Sequence, residues 1–342
     1  MPSMSDVARR ANVALSTVSY ALNGTRPVSR ETRERIERAM EELGYRPNAL
    51  ARGLASKRSR NLGLIFPAPE RGLGITEMEF VTSAAETASE NGYHLVLWST
   101  EVGDTEMLAR LTQQGLVDGV IVMEVHLHDK RIDMLRDTGM PFCMIGRTAD
   151  PSTDSYADID FEQTTREAVQ HLAELGHTTI AFVNHSQASF NAGYGPSLRA
   201  AEGFAQAAGA AGVHHLARCC EDSPAAGQQA FHQLVATAPA LSALIVMNER
   251  ASAGVLAAIG QRGGRVPDDY SVLSIVSSTR VAEMTFPPLT TFTPPSAALG
   301  RLGVQTLIER LEGRQGPLVQ ELLPCTLAIH GSTGPRTAHR SN

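Results

Sequence analysis

Leu15, Ser16, Thr17, Ser19 and Tyr20 fall within six residues and carry hydroxyls, a phenol and one apolar side chain, with no charge among them. Side chains of this kind reach base edges and phosphate oxygens. A hydroxyl donates and accepts there, and an apolar group packs on a thymine methyl. The chemistry on offer is recognition. Other clusters offer less. Gly72-Leu73-Gly74 follows an apolar run but lacks the third glycine of a dinucleotide-binding loop. No cysteine or carboxylate completes a ligand set with His126/His128 or His214/His215 at the right spacing, which argues against a metal. No GxSxG or Walker A sequence occurs, and no His or Cys has a visible nucleophile partner. No catalytic residue, metal or cofactor is expected.

The recognition residues need a helix to present them. Asp6–Ala11 reads as a first helix with Ser5 as its cap, Asn12-Val13-Ala14 breaks the period, and Leu15–Leu22 reads as a second helix. Val7, Ala8 and Ala11 form a small apolar patch against which the second helix can cross closely. This is a helix-turn-helix pattern, with the second helix offered to a DNA major groove. On these residues alone an ordinary helical hairpin inside a core remains open. Asn23-Gly24 ends the second helix, and Ser29 caps a third that carries Ile36, Met40 and Leu43 on one face up to Gly44. Asn48 caps a short helix over Ala49–Ala55, too short to be stable alone in water. A basic run, Lys57-Arg58-Ser59-Arg60, follows.

Charge sharpens the picture. Residues 1–60 hold twelve Arg/Lys and six Asp/Glu, a net of +6, while the remaining 282 hold 18 basic and 30 acidic side chains, a net of −12. A basic head on an acidic body suits a polyanionic partner at one end only. With 342 residues, 42% hydrophobic and 19% charged, the chain has room for two or three globular domains. It shows neither an apolar leader nor a run near the roughly 20 residues that span a bilayer, so the expected place is the cytoplasm and no membrane partner is expected. Cys143, Cys219, Cys220 and Cys325 include no CxxC pair, and reduced thiols are expected.

From Asn61 apolar strands alternate with amphipathic helices. Strands are expected at 61–66, 93–98, 119–123 and 141–145, then in a second round at 179–183, 215–219, 243–247 and 271–275. Helices are expected between them, with a return crossing at 290–295, a last helix at 296–312, a strand at 324–330 and a polar tail from Ser332. Two such rounds predict two doubly wound α/β lobes.

The wording of the pieces, in order, resembles the LacI/GalR (lactose repressor-like) family of bacterial transcription regulators. The match runs through Asp6-Val7-Ala8, Thr17-Val18-Ser19, Leu22-Asn23-Gly24 and Leu43-Gly44-Tyr45-Arg46-Pro47-Asn48. Further matches are Asp118-Gly119-Val120-Ile121, Leu175-Gly176-His177, Val266-Pro267-Asp268-Asp269, Pro287-Pro288-Leu289-Thr290-Thr291 and Gly331-Ser332-Thr333. The resemblance implies an all-α helix-turn-helix head over 1–46, a hinge helix and linker over 47–60, and a periplasmic-binding-protein-like core of doubly wound parallel sheets over 61–334. Its N-lobe would take about 61–160 plus 293–323, its C-lobe about 161–291 plus 324–334, leaving 335–342 as a tail. The chain would cross between lobes near Asp160, Phe292 and Leu323. The resemblance also implies a homodimer on a pseudo-palindromic double-stranded DNA operator, acting as a repressor.

Carried over position by position, base and phosphate contacts fall on Ser5, Leu15, Ser16, Thr17, Ser19, Tyr20, Asn23, Ser29, Thr32 and Tyr45, and, in the hinge, on Asn48, Ala51 and Leu54. Leu54 matches the leucine that wedges into the minor groove with its dimer mate. The second helix lacks the cation or amide that many relatives carry. A small-molecule effector, a sugar or related metabolite, would sit between the lobes against Glu79, Phe80, Arg147, Phe190, Arg199, Asn248, Glu249 and Ser277. The cleft pattern departs from the family: Val276-Ser277 replaces an Asp-Asp pair, and Arg199 lies one helical step from the usual arginine, which falls on Ala200. Alternatives are a sugar-scavenging solute-binding protein and a regulator whose core dimerises without sensing a ligand.

Overall fold

The computed structural model describes residues 2–23, 26–45, 58–67, 73–99, 105–314 and 316–336. Three helices open the chain: α1 (Met4–Ala11), α2 (Leu15–Asn23) and α3 (Arg30–Leu43). The cap of α1 is Ser3, not Ser5. Ser3 accepts from the Asp6 N–H while the Asp6 carboxylate accepts from the Ser3 N–H at 2.9 Å, a reciprocal capping box that starts the helix two residues early. Ser5 is left exposed on the first turn. Asn12, at φ 51°, closes α1 in the left-handed region and turns the chain into α2. Val7, Ala8, Ala11, Val18, Ala21, Ile36 and Ala39 form the shared core. From α3, Arg33 donates to the Ala21 carbonyl at 3.1 Å and Arg35 to that of Ala11 at 3.0 Å, so two arginines satisfy orphan carbonyls of the other helices.

The N-lobe sheet is built from β1 (Asn61–Phe66), β2 (His94–Ser99), β3 (Gly119–Val122), β4 (Phe142–Ile145), β5 (Tyr156–Ile159) and, from the far end of the chain, β11 (Gln320–Leu323). The order is β11-β5-β4-β3-β1-β2, parallel throughout. Around it lie α4 (Ile75–Glu90), α5 (Thr105–Gln113), α6 (Lys130–Thr138) and α13 (Ser296–Leu311). The C-lobe sheet takes β6 (Thr179–Asn184), β7 (His214–Cys219), β8 (Ala243–Val246), β9 (Ser271–Ile275), β10 (Thr290–Thr293) and β12 (Thr326–Ala328), ordered β12-β10-β9-β8-β6-β7. Only β12 runs antiparallel. Its helices are α7 (Phe161–Glu174), α8 (Gln187–Asn191), α9 (Gly195–Ala210), α10 (Pro224–Thr237), α11 (Glu249–Gln261) and α12 (Thr279–Ala282).

Four differences from expectation have physical causes. Strand β5 was not foreseen, because Asp158 interrupts an apolar run of four and its countercharges come from elsewhere in the chain. The strand expected over 324–330 is the shorter β12, paired with β10, and β11 just before it, paired with β5 in the other sheet, was not foreseen; the expected crossing near Leu323 lies at Pro324-Cys325 between them. The crossing expected near Phe292 falls after Thr293, since Phe292 is inside β10. The polar tail also begins later than Ser332. Ser332 is fully buried and accepts from the Thr290 N–H at 2.7 Å, and the Arg336 N–H donates to the Leu175 carbonyl at 2.8 Å.

One apolar cluster contains residues of both lobes, with Ile159, Phe161, Phe292 and Cys325 at the crossings. Within the N-lobe, α4 and α13 cross in close contact. A Cβ on Gly300 would stand 2.7 Å from the Phe80 carbonyl oxygen, so glycine alone permits that approach. Among the described residues no helix is long and apolar enough to cross a membrane.

Candidate functional site

The head presents its candidate reading residues on one side of α2. Leu15 and Ser16 are exposed, Thr17, Ser19 and Tyr20 are half-buried, and Val18 between them is sealed in the core. The alternation follows from the 100° step of the helix: Val18 and Ala21 face inward, which turns Ser16 and Tyr20 toward the outside. Sequence reasoning found no cation on this helix, but the fold supplies one beside it. The Arg26 guanidinium lies over the Tyr20 ring, 5.1 Å from its centroid. Ser29 caps α3, accepting from the Thr32 N–H at 3.3 Å and donating to the Thr32 hydroxyl at 2.8 Å. Tyr45 packs half-buried against the head core. Asn23 is the last residue of α2. Asn48, Ala51 and Leu54 lie outside the described residues.

Between the lobes the structure shows a cavity of about 1090 Å³, walled by α4, the start of α11, α12 and the crossing into α13. Glu79, Glu249, Arg280 and Ser296 line it together with apolar Met78 and Met284. On the lobe boundary the Thr76 hydroxyl of α4 donates to the Glu249 carboxylate of α11 and accepts from the Ser278 N–H at 2.9 Å. Glu249 also accepts from Ser277, and its pKa is raised, chiefly because burial disfavours the charged carboxylate. Thr76 thus connects N-lobe to C-lobe. Sequence reasoning missed it, and its position in the first turn of α4 is the only signal that pointed there.

A second polar contact joins the lobes elsewhere. Arg147 donates to Asp158 at 2.8 Å, and Arg199 of α9 lies 3.8 Å from the same carboxylate while donating to the Arg147 and Thr148 carbonyls at 2.9 and 3.0 Å. Burial pushes the Asp158 pKa up to about 6 against the pull of both arginines, and burial first, then Arg147, lowers that of Arg199. Backbone bonds continue the seam: Leu127 N–H donates to the Gly193 carbonyl at 2.8 Å and Gly195 N–H to that of Val125 at 3.1 Å. Arg199 therefore reaches the lobe boundary despite its one-step offset. Ala200, at the family's arginine position, is fully buried.

Other expected cleft residues are placed differently. Phe80 is 7% exposed and belongs to the N-lobe core, because it is on the face of α4 that packs on the sheet. Asn248 is fully buried; its amide oxygen accepts from the Ala251 N–H at 3.1 Å as the cap of α11, and its amide nitrogen donates to the Cys220 carbonyl at 3.1 Å. Both ends of that amide are committed to the protein, so it offers no wall to the cavity. Ser277 is buried behind Glu249. Phe190 is half-buried on α8 and is not among the cavity-lining side chains. No group of three or more His, Cys, Asp or Glu able to hold a metal occurs among the described residues.

Residues 3–48 match the model of bacterial regulatory proteins, lacI family, and residues 169–333 match a periplasmic binding protein-like domain. The HTH-type transcriptional regulator CelR of Thermobifida fusca is 31% identical over 339 residues, covering 97% of this chain and 98% of that protein. The chain belongs to the LacI family. Solved members superpose on it over nearly the whole length. A lac repressor dimer bound to operator and the anti-inducer ONPF has a TM-score of 0.81 at 27% identity, covering 97% of this chain and 99% of that one. A CelR–cellobiose complex has a TM-score of 0.74 at 29% identity, covering 97% and 100%. As a LacI-family member the chain is a DNA-binding transcription regulator with a two-lobed core.

Proposed function

We propose that this protein is a cytoplasmic, homodimeric repressor that holds a pseudo-palindromic operator and changes its grip when a carbohydrate-type effector binds between the core lobes. The observation that carries the reading is the pairing of a basic three-helix head with a cavity of about 1090 Å³ at the lobe boundary, where Glu79 and Glu249 offer acceptors for hydroxyls and Arg280 a donor. The lac repressor dimer on operator and the cellobiose complex of CelR support operator, dimer and sugar by likeness. In this reading 1–46 is the head, 47–60 the hinge and linker, and 61–334 the core with its two lobes. Arg336, assigned to the tail, is hydrogen-bonded to the core at the Leu175 carbonyl and the Thr178 hydroxyl. The reading needs no catalytic step.

Within the head, Ser16 and Tyr20 choose bases, Leu15 packs on a thymine methyl, and Thr17 and Ser19 hold phosphates. Ser5, Ser29, Thr32, Tyr45 and, in the hinge, Asn48 and Ala51 add backbone contacts. At the cleft, Arg147, Arg199 and Ser277 act by holding the lobe boundary. The test is selection from a randomised duplex pool. The native chain is expected to enrich two half-sites related by a two-fold axis, and exchanging both Ser16 and Tyr20 for other residues is expected to change the enriched bases. An unchanged preference sinks the assignment of these two residues.

A further inference from the structure

The chain that enters the core from the DNA side, residues 58–60, is bound to the N-lobe far more densely than a linker requires. The Asp118 carboxylate accepts from the Ser59 N–H at 2.7 Å, the Ser59 hydroxyl at 2.8 Å and the Arg60 N–H at 2.9 Å. Glu312 accepts from Arg58 and Arg60, each at 3.1 Å, and from the Tyr93 hydroxyl at 2.7 Å. Arg58 also donates to the Leu311 carbonyl at 2.8 Å, and the Arg60 guanidinium lies 4.8 Å from the centre of the Tyr93 ring. The Tyr93 hydrogen bond, followed by the two arginines, holds Glu312 below the usual carboxylate range.

Two of the three anchors, Tyr93 and Glu312, lie just beyond the ends of helices that begin at the cavity. Helix α13 starts at Ser296, which lines the cavity with Pro295 and Ala297, and ends at Leu311, one residue before Glu312. Helix α4 starts at Ile75 beside Gly74, also cavity-lining, and ends at Glu90, three residues before Tyr93. Each has 16 residues, a span of about 24 Å. They pack against each other, with Gly300 close against the Phe80 carbonyl. Any relative slide or tilt of α4 and α13 at the cavity must therefore appear at the Tyr93–Glu312 contact, because packed helices move as rigid bodies.

We propose that Tyr93, Asp118 and Glu312 are positioning residues that fix the DNA-side linker in the register set by α4 and α13, so that this knot carries the state of the cavity to the operator-binding end. The inference rests on the operator-binding reading above. Coupling between the cavity and the knot is read by a double-mutant cycle.

The experiment uses the full chain and the duplex it enriches from a randomised pool, with a scrambled duplex of equal length as the non-specific probe. Glu312→Gln keeps an acceptor but loses the charge that gathers Arg58 and Arg60. It is expected to weaken the enriched duplex at least tenfold, with the scrambled duplex changed less than threefold and the melting temperature nearly unmoved. Thr76→Val, which breaks the lobe contact at the cavity, is expected to change operator affinity in the native background and to do so at least fivefold less in Glu312→Gln. Tyr93→Phe is expected to reproduce the loss of coupling with a smaller loss of affinity. Additive effects of Thr76→Val and Glu312→Gln, or equal losses on both duplexes, overturn the proposal. Failure of the native chain to enrich any duplex overturns the operator-binding reading and the knot's role with it.

Discussion

At the scale of single residues, Asp158 is the most consequential side chain outside the head. It sits inside β5, 4% exposed, with Arg147 from its own lobe and Arg199 from the other reaching it. A buried carboxylate of this kind is held by its partners, and removing one leaves charge without compensation. Burial nevertheless dominates and lifts its pKa to about 6, above the value of about 3.9 that it has in an unfolded chain. The folded state thus binds this proton more tightly than the unfolded state. The residue's contribution to stability is therefore most favourable below the unfolded value and declines as pH rises through about 6. Other carboxylates titrate over the same range, so the comparison must be with Asp158→Asn, in which they are unchanged. Between pH 4 and 7.5 the native chain is expected to lose on the order of 3 kcal/mol relative to that variant, measured by chemical denaturation at a series of pH values. A difference that stays constant with pH refutes it. The side chain itself was plain in the sequence; its burial was not, since Arg147 meets it only after the chain turns back from β4 into β5 and Arg199 comes from across the lobe boundary.

At the scale of elements, the alternation of strands and helices could be read from apolar runs, glycines and caps, and the structure reproduces most of it within a few residues. What could not be read was an element whose justification is elsewhere. β5 needs arginines from two lobes, and β11, over Gln320–Leu323, finds its pairing partner in β5, far earlier in the chain. Capping was legible in kind but displaced in position: Ser3 rather than Ser5 closes a box with Asp6, because the box requires a carboxylate three residues on. The hinge segment belongs to this scale too. The helix expected over Ala49–Ala55 lies outside the described residues; a helix of that length does not persist alone in water, and the operator-binding reading would give it a partner in the second copy on DNA. Leu54→Ala is accordingly expected to weaken the enriched duplex far more than a scrambled one. Unstacking a base step costs about a few kcal/mol, and only the specific complex recovers it. Equal losses in titrations of the two duplexes would speak against a wedge.

At the scale of the whole molecule, two lobes are joined by a seam of side-chain and backbone hydrogen bonds, with Thr76, Glu249 and Ser278 at one place and Arg199, Asp158 and the 125–127 to 193–195 contacts at another. A ligand that fills the cavity and spans the seam must bind the folded core and not the unfolded chain. A saturating carbohydrate is therefore expected to raise the melting temperature, by about 2.7 kcal/mol of added stability at a concentration one hundred times its Kd. Cellobiose and a panel of mono- and disaccharides are the probes. A rise only with purines or other metabolites removes the carbohydrate class, and no rise with any of them favours a core that dimerises without sensing. The sequence by itself determined the family, most of the alternation of strands and helices and the buried face of α2, because these depend on local periodicity, caps and spacing that each segment carries within itself. The tertiary structure alone decided which polar residues meet. It turned Phe80 and Asn248 inward, brought Arg26 to Tyr20, closed Thr76 on Glu249, and gathered Arg58, Arg60, Tyr93 and Glu312 into one knot. Those partners are up to 254 residues apart, and only packing of the helices and sheets between them fixes such distances.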